Sequence, residues 1–288
     1  MEQMINYNIA SRTYDHSRRH SDRIINQFAG RIPITPATAI LDFGCGTGNY
    51  LDRLQRAHGA RCCGVEPSEG MRARAVEKNA ALEVKSGDHR SVPFGGDTFD
   101  FVYMTDVIHH VPDLSVMFRE LWRVLKSGGL LCVVTESHEQ IQSRFYNEYF
   151  PSMAEKERRR YPEIQSLVQK AIESGGFLHE ETEVLPAIRP MIVTDQFLKN
   201  VEERNYSMFR LLDEREFADG LTRVRKDKGR TFEATGAGDT LIWLRKLPNQ
   251  APEPTSSTSS RQAPTAVTPP AGVLRQGLAG GTQEARQP

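Results

Sequence analysis

The chain has 288 residues, and its 37 lysines and arginines balance its 37 aspartates and glutamates, so its formal net charge at pH 7 is zero. A chain without net charge exerts no overall attraction on a polyanion, which argues against nucleic acid and an anionic membrane surface as partners. No apolar run reaches bilayer-spanning length, and residues 1–10 lack the pattern of a signal peptide, so we expect no membrane association and a cytoplasmic location.

The four cysteines show no Cys-x-x-Cys pair, and all four fall in predicted strands or the glycine turn. Cys62 and Cys63 are neighbours on one strand and should face opposite sides of a sheet. We therefore interpret the cysteines as small core residues of a reducing compartment, and we predict no metal site.

The first predicted helix covers residues 4–28, where apolar residues recur at helical spacing. The stretch that follows it, Ile40 to Leu51, is an apolar run interrupted by Gly44, Gly46 and Gly48. This pattern predicts a buried strand, a tight turn and the start of a helix. Glycine permits positive φ and lets a ligand lie against the backbone, while the helix start offers free N–H groups.

A second apolar run, Arg61–Val65, ends at Glu66, about twenty residues beyond the first strand, where a carboxylate can accept both hydroxyls of a ribose. A glycine turn alone occurs in many α/β proteins, but together the two signals indicate a nucleotide-like cofactor. The nicotinamide fingerprint needs its third glycine one position after Gly48, where this chain has Asn49.

Strands and helices alternate up to residue 136, which predicts a doubly wound α/β fold with a mostly parallel sheet and helices on both faces. The predicted strands are Ala39–Phe43, Arg61–Val65, Leu82–Lys85, Phe99–Thr105, Leu130–Glu136, Glu181–Leu185 and Thr240–Leu244. The predicted helices between and after them are Asn49–His58, Glu69–Lys78, Asp113–Leu125, His138–Phe150, Ile164–Ser174 and a helical segment over 194–226. In such sheets ligands bind at the carboxyl ends of the strands, so Gly44, Glu66, Asp88 and Thr105 should share one pocket.

Six motifs follow one another between about residues 38 and 137: Leu41–Gly48, Val65–Met71, Gly87–Asp88, Phe99–Val102, Asp106–Asp113 and Arg123–Gly129. This ordered set resembles the class I S-adenosylmethionine-dependent methyltransferases, and in particular their ubiquinone-biosynthesis-like, small-molecule branch. Ser127 stands where that branch usually has proline, and this serine makes the turn less rigid. The resemblance implies a Rossmann-like fold with a seven-stranded sheet and helical cap elements.

The resemblance also implies how S-adenosylmethionine is held. Gly44, Gly46 and Gly48 would cradle it, Asp42 would orient the loop and the cofactor ammonium, Glu66 would bind the ribose, Asp88 the adenine amino group, and Thr105 would border the pocket. Tyr14 of the N-terminal segment would lie at the amino-acid end of the cofactor, or would simply pack its helix against the sheet. Asp88 is also an ordinary turn residue.

His109, His110 and Tyr146 are the candidate catalytic residues, since an acceptor that must lose a proton needs a base. The alternative for the two histidines is local packing; neighbouring side chains in a turn should diverge, and no third metal ligand is apparent. Phe145 and Tyr149 are candidate substrate-binding residues on an aromatic face that lids the pocket in the similar branch, or they form a core stripe. Glu157 to Arg160 is a charge run typical of a solvated helix face.

These residues indicate a methyltransferase that acts on a small-molecule acceptor by in-line displacement. The alternatives are aminocarboxypropyl transfer or internal cyclisation of the same cofactor, a non-catalytic cofactor-binding module, and a nicotinamide oxidoreductase. Residues 104–107, Met-Thr-Asp-Val, lack the Asn/Asp-Pro-Pro-aromatic turn, which argues against methylation of bases or glutamine amides.

Three parts of the chain are expected. Residues 1–37 form an N-terminal helical cap, and residues 38–247 form the cofactor-binding domain, with helical insertions near 138–175 and 190–230. Residues 248–288 are rich in Pro, Ser, Thr, Ala, Gly and Gln, cannot bury enough apolar surface to offset ordering, and are expected to be a disordered tail.

Overall fold

The computed structural model describes residues 20–188, 190–233 and 238–248. Tyr14 and the expected tail, apart from its first residue, lie outside the described residues. Seven strands of the described chain form one sheet in the order β3-β2-β1-β4-β5-β9-β6. Their bounds are β1 Ala39–Phe43, β2 Arg61–Val65, β3 Glu83–Lys85, β4 Phe99–Thr105, β5 Leu125–Thr135, β6 Phe177–Pro186 and β9 Gly238–Lys246.

The first five strands run parallel, and β9 is antiparallel to both β5 and β6. The expected Rossmann-like, mostly parallel sheet is therefore confirmed. The strand order reverses between β1 and β4, which pair directly, with Asp42 beside Tyr103. Open α/β sheets bind ligands outside the carboxyl ends of the strands at such a reversal.

Helices cover both faces of the sheet and continue into the segments between its last strands. Their bounds are α1 Asp22–Arg31, α2 Asn49–His58, α3 Glu69–Lys78, α4 Leu114–Val124, α5 His138–Gln142, α6 Met153–Arg158, α7 Ile164–Gly175, α8 Asp195–Glu202 and α9 Glu214–Lys226. Side-chain hydroxyls and carboxylates cap several of them, as where Asp113 accepts from Val116 N at 3.0 Å. No helix in the described residues is long and apolar enough to cross a membrane.

Two apolar cores lie on opposite faces of the sheet, because side chains alternate along each strand. Leu41, Val102 and Val133 belong to the core beneath α4 and α7. Ile40 and Tyr103 belong to the core on the other face, with Phe28 of α1. Since both faces are covered, β1 is buried along its whole length, as its apolar run, broken only by Asp42, predicts.

A third apolar cluster, here called the lid core, lies outside the sheet. It joins the segment after β5 to α8, α9 and a two-stranded ribbon of β7 Met191–Ile192 and β8 Thr231–Phe232. The lid core contains Phe145, Tyr146, Tyr149, Phe150, Met153, Val193, Phe197, Val201, Met208, Phe209, Leu212, Phe217, Val224 and Phe232.

The strands predicted at 181–185 and 240–244 extend further at both ends, and the helical segment predicted over 194–226 is two helices, α8 and α9, with a 3-10 turn between them. Two other predicted elements differ for a local reason. The helix expected over 138–150 is instead α5 followed by a 3-10 turn at Phe145–Glu148, with the chain extended at Arg144 between them (φ −66°, ψ 130°). Strand β5 begins at Leu125 rather than Leu130, because its register with β4 shifts there and Gly128 takes a positive φ of 77°.

Candidate cofactor and acceptor site

The glycine turn after β1 uses conformations that favour glycine. Gly44, Gly46 and Gly48 have φ values of 80°, 54° and 73°. A Cβ on Gly44 would lie 2.5 Å from Cγ2 of Val107, so the turn after β1 packs directly against the turn after β4. The amides of Gly44 and Cys45 both donate to Val65 O, at 2.8 and 3.1 Å, which ties the turn to the end of β2.

Glu66 follows β2 and holds the same turn with its carboxylate. Its Oε2 accepts from the amide of Gly46 at 3.1 Å, and its Oε1 accepts from the amide of Ser68 at 2.8 Å. The side chain is buried, and burial raises the pKa of the carboxyl while these two amides oppose the rise. Each oxygen keeps a further lone pair, so the carboxylate can support the turn and accept ligand hydroxyls together.

Asp42 lies beneath the turn, in the interior of the sheet. Burial raises the pKa of its carboxyl to about 8; the Tyr103 hydroxyl opposes this rise, and Glu66 adds to it. Oδ1 of Asp42 and the hydroxyl of Tyr103 are both buried, and neither makes a hydrogen bond of good geometry in the described part of the chain. A buried carboxyl near neutral pKa beside a glycine turn is suited to a cationic ligand, which would favour its ionised form.

Asp88 follows β3 and borders an open pocket of about 400 Å³, which is lined by Pro67, Ser86, Gly87, Asp88, Arg90 and Ser91. Its carboxylate is paired with Arg90, whose Nη2 lies 2.6 Å from Oδ2, and this pairing lowers the pKa of Asp88. Gly87 is required for space, because a Cβ there would meet Ser91 O at 2.7 Å. The pocket lies beyond the end of β3, next to the segment that follows Glu66.

Thr105 ends β4, is half-buried and pairs in register with Val134. The next residue, Asp106, has φ 56°, a left-handed conformation that is uncommon for a residue with a side chain. His109 and His110 lie in the following 3-10 turn, and their ring centroids are 4.0 Å apart. The expectation that the two rings diverge is therefore wrong. The His109 ring also stacks on Tyr161 at 4.4 Å and 19°.

The aromatic residues predicted to face the acceptor, Phe145, Tyr146 and Tyr149, pack mainly against other residues of the lid core. Phe145 packs on Phe197 and Phe232, each with ring centroids 5.1 Å away. Tyr149 donates its hydroxyl to Asp227 Oδ2 at 3.0 Å. Tyr146 packs edge-on to Phe145 at 5.5 Å and beside Arg144 at 5.6 Å. Tyr146 therefore also contacts Arg144, whose ion pairs join this segment to the sheet.

That charged group was not predicted. Arg144 is 9% exposed and pairs with Glu136, directly after β5, and with Glu157 of α6, which is 4% exposed and also pairs with Arg160. The expected solvated face at 157–160 is therefore wrong for Glu157. Arg144 and its partners are far apart in sequence, so no short motif marks them.

Asp239, at the start of β9, is a second unpredicted group at this edge of the sheet. Burial and the neighbouring Asp106 raise the pKa of its carboxyl to about 6, while Arg23 of α1 opposes the rise. Burial and the charges of Asp106 and Asp239 likewise raise the pKa of Tyr50 in α2. Strand β9 begins at this edge because it runs antiparallel to β5, and a sequence pattern alone does not show this.

The residues present fit S-adenosylmethionine. The turn carries no Cβ at Gly44, Gly46 and Gly48, the two buried carboxyls of Asp42 and Glu66 flank it, and the Asp88 pocket opens beyond. An unpartnered buried oxygen at Asp42 suits the cationic end of such a molecule. Tyr14, expected at that end, lies outside the described residues.

Comparisons with known proteins agree with this geometry. Residues 41–133 match the methyltransferase domain family. The chain is 28% identical over 189 residues to demethylmenaquinone methyltransferase of Shouchella clausii, across 62% of this chain and 77% of that protein. It is 32% identical over 135 residues to sterol 24-C-methyltransferase of Schizosaccharomyces pombe, across 44% of this chain and only 34% of that protein's length.

Among solved structures, a putative methyltransferase from an antibiotic biosynthesis pathway of Anabaena variabilis superposes with a TM-score of 0.64 at 21% identity. The match covers 79% of this chain and 98% of that one. At 21% identity, the superposition shows that the two chains share a fold and nothing more specific. Residues 41–133 therefore match the methyltransferase domain family, and the described sheet has the fold of that solved structure.

Proposed function

We propose that this protein transfers a methyl group from S-adenosylmethionine to a small-molecule acceptor. The observation that carries the proposal is the glycine turn at 44–48 together with the Glu66 carboxylate, which is bonded to the Gly46 amide beneath it. The demethylmenaquinone and sterol methyltransferases to which the chain is similar are named for small-molecule acceptors. We also propose a cytoplasmic location, which the four free, buried cysteines support.

The cofactor supplies an activated methyl group on a sulfonium leaving group. The chain's own residues then have to hold the cofactor, align the acceptor and exclude water, and alignment alone can contribute several kcal/mol. We assign the ribose hydroxyls to Glu66, the cationic end to Asp42 and the turn, and the adenine to the Asp88 pocket. Asp88 must share its carboxylate with Arg90 or release it for this role.

Three residues are our candidates for taking a proton from the acceptor: His109, His110 and Tyr146. His109 and His110 lie just beyond the carboxyl end of β4, and Tyr146 lies in the segment that follows β5. Phe145 and Tyr149 support the lid through the lid core and would shape the acceptor pocket indirectly. A base is needed only when the acceptor atom carries a proton that must leave.

Two measurements test the proposal. Calorimetric titration of the full chain with S-adenosylmethionine and S-adenosylhomocysteine should show binding of both, whereas indifference to both contradicts it. Incubation with isotopically methyl-labelled cofactor and cell extract should yield S-adenosylhomocysteine and a labelled small molecule. Methylthioadenosine as the product would instead show transfer or cyclisation of the aminocarboxypropyl group.

A further inference from the structure

Three polar side chains with almost no exposure lie together where β5 ends and β9 begins. Thr135, Thr240 and Gln140 have 2%, 1% and 4% of their surface exposed. Thr135 and Thr240 are register partners on the two strands. They lie on the same face of the sheet as Val133 and Ile242, so their side chains are neighbours, with Cβ atoms about 5 Å apart in such pairs.

The amide of Gln140 can have only one orientation. Its Oε1 accepts from the backbone amide of Ser137 and from the hydroxyl of Thr240, both at 2.7 Å. The amide of Ser137 can only donate, so the atom it meets must be oxygen, and the other terminal atom of Gln140 must be the NH₂ group.

That NH₂ group and the Thr135 hydroxyl are both buried, and neither has a hydrogen-bond partner in residues 20–188, 190–233 or 238–248. An unsatisfied buried polar atom costs about 1–3 kcal/mol, so native proteins pair such atoms with a ligand or an ordered water. These two unpaired groups belong to residues that both adjoin Thr240, and together they form an incomplete binding arrangement.

The arrangement lies beside the proposed site of reaction. Thr135 ends β5, and the neighbouring strand β4 ends at Thr105, just before the His109–His110 turn. Gln140 belongs to α5, the first segment of the lid after β5. The groups thus lie at the carboxyl end of β5, where the segment after β5 meets the sheet, on the side of the sheet away from the Asp88 pocket.

We propose that Gln140 and Thr135 bind an uncharged oxygen of the acceptor, a carbonyl or a hydroxyl. The inference rests on the proposed function, since it assigns the acceptor of that same site. Both donors are neutral, and the nearby guanidinium of Arg144 is already paired with Glu136 and Glu157. A carboxylate here would lack a counter-charge and would be costly to bury, whereas a neutral oxygen needs only hydrogen bonds. Because both groups are buried, binding requires a local displacement of the five-residue helix α5.

The test uses the full chain saturated with S-adenosylhomocysteine and two matched probes. Cyclohexanone carries a carbonyl oxygen, and methylenecyclohexane has nearly the same shape with a CH₂ group in its place. Side-chain amide NMR of ¹⁵N-labelled protein follows Gln140, whose signal is assigned by its loss in Gln140→Met. Cyclohexanone should shift this signal and bind more tightly, and methylenecyclohexane should leave it unmoved.

Thr135→Val separates ligand binding from a structural role. It should weaken cyclohexanone binding about fivefold, the worth of one neutral hydrogen bond. It should leave the melting temperature unchanged or higher, because the lost hydroxyl has no partner in the described chain. Thr240→Val, which loses the bond to Gln140, should instead lower the melting temperature, and Gln142→Met, on the exposed side of α5, should change neither quantity.

Equal affinities of the two probes for the S-adenosylhomocysteine complex would overturn the inference. An internal water that holds the Gln140 amide and is not displaced by cyclohexanone would also overturn it. Both outcomes leave the proposed function standing. Failure of S-adenosylhomocysteine to bind would overturn the proposed function itself, and this inference with it.

Discussion

Asp42 of β1 and Tyr103 of β4 are register partners at the strand reversal, and each has a buried side-chain oxygen without a hydrogen-bond partner in the described residues. Burial raises the pKa of both groups, that of Asp42 to about 8. The site thus holds a carboxyl that is largely protonated in the ligand-free protein at neutral pH. A bound cation would favour its ionised form.

Cofactor affinity should therefore depend on pH through Asp42. The affinity for S-adenosylhomocysteine should rise as pH increases towards about 8, by no more than about tenfold per pH unit, and then level off. Asp42→Asn should weaken binding and flatten this profile. Asp239, whose pKa is about 6, remains in the Asp42→Asn variant, so any pH dependence of affinity that persists there near pH 6 belongs to Asp239. Calorimetric titrations at several pH values measure the effect, and a wild-type profile flat from pH 6 to 8 would contradict the assignment.

The raised pKa of Asp42 also predicts how the free energy of unfolding changes with pH. The folded-state pKa of Asp42, about 8, lies above the ordinary value of 3.8, so the folded protein binds its proton more tightly than the unfolded chain does. The Asp42 contribution to the free energy of unfolding is full below pH 4 and declines as pH rises towards 8. Urea unfolding of ligand-free protein should show this decline, and Asp42→Asn should remove it.

Glu66→Ala should weaken S-adenosylhomocysteine binding by about 1–3 kcal/mol, because ribose hydrogen bonds are lost and the Gly46 amide loses its acceptor. Glu66→Gln keeps one carbonyl oxygen and should lose less. Glu77→Ala, on the exposed side of α3, is the control and should bind as wild type does. Calorimetry gives the affinities; a Glu66→Ala protein of normal affinity would remove Glu66 from the site.

Gly44→Ala should destabilise the protein more than Gly128→Ala does. The two glycines have nearly equal φ values, 80° and 77°, but a Cβ at Gly128 meets nothing within 4 Å, whereas one at Gly44 lies 2.5 Å from Val107. Gly128→Ala should cost about 1–2 kcal/mol for its backbone alone. The excess in Gly44→Ala measures the clash, and adding Val107→Ala should reduce it. Equal losses in chemical denaturation would show that the two turns are not in contact.

Arg144→Met should cost about 3–5 kcal/mol of stability, because it leaves the carboxylates of Glu136 and Glu157 buried without a cation. Arg159→Met is the matched control: its ion pair with Glu155 is exposed on both sides, at 74% and 61%, and should contribute less than about 1 kcal/mol. Urea unfolding compares the two. A loss at Arg144 no larger than that at Arg159 would contradict the buried network.

The sequence predicted the parallel half of the fold because both faces of those strands are covered. Residues 39–43 and 99–105 are almost uninterrupted apolar runs, and the glycines at 44–48 mark the turn through their positive φ values. The carboxyl ends of parallel strands meet at one edge, so Glu66, Asp88 and Thr105 could be placed at that edge without coordinates.

The lid was harder to predict, because its contacts are distant in sequence. Phe145 and Tyr149 keep helical spacing, but the extended backbone at Arg144 ends α5 and turns the following aromatic residues into a separate core. Arg144 itself pairs with Glu136, eight residues before it, and with Glu157, thirteen residues after it. Glu157 looks like part of a surface charge run until its partners are known. Gln140 and Thr240, one hundred residues apart, leave no local pattern at all.

The position of β9 between β5 and β6 has a consequence for biosynthesis. Both neighbours leave the ribosome well before Gly238–Lys246 does, and neither pairs with the other. One edge of β5 therefore stays without its neighbour until almost 250 residues have been translated, with the lid segments already made. During that interval the nascent chain exposes an unpaired apolar strand, which is the kind of surface that chaperones recognise.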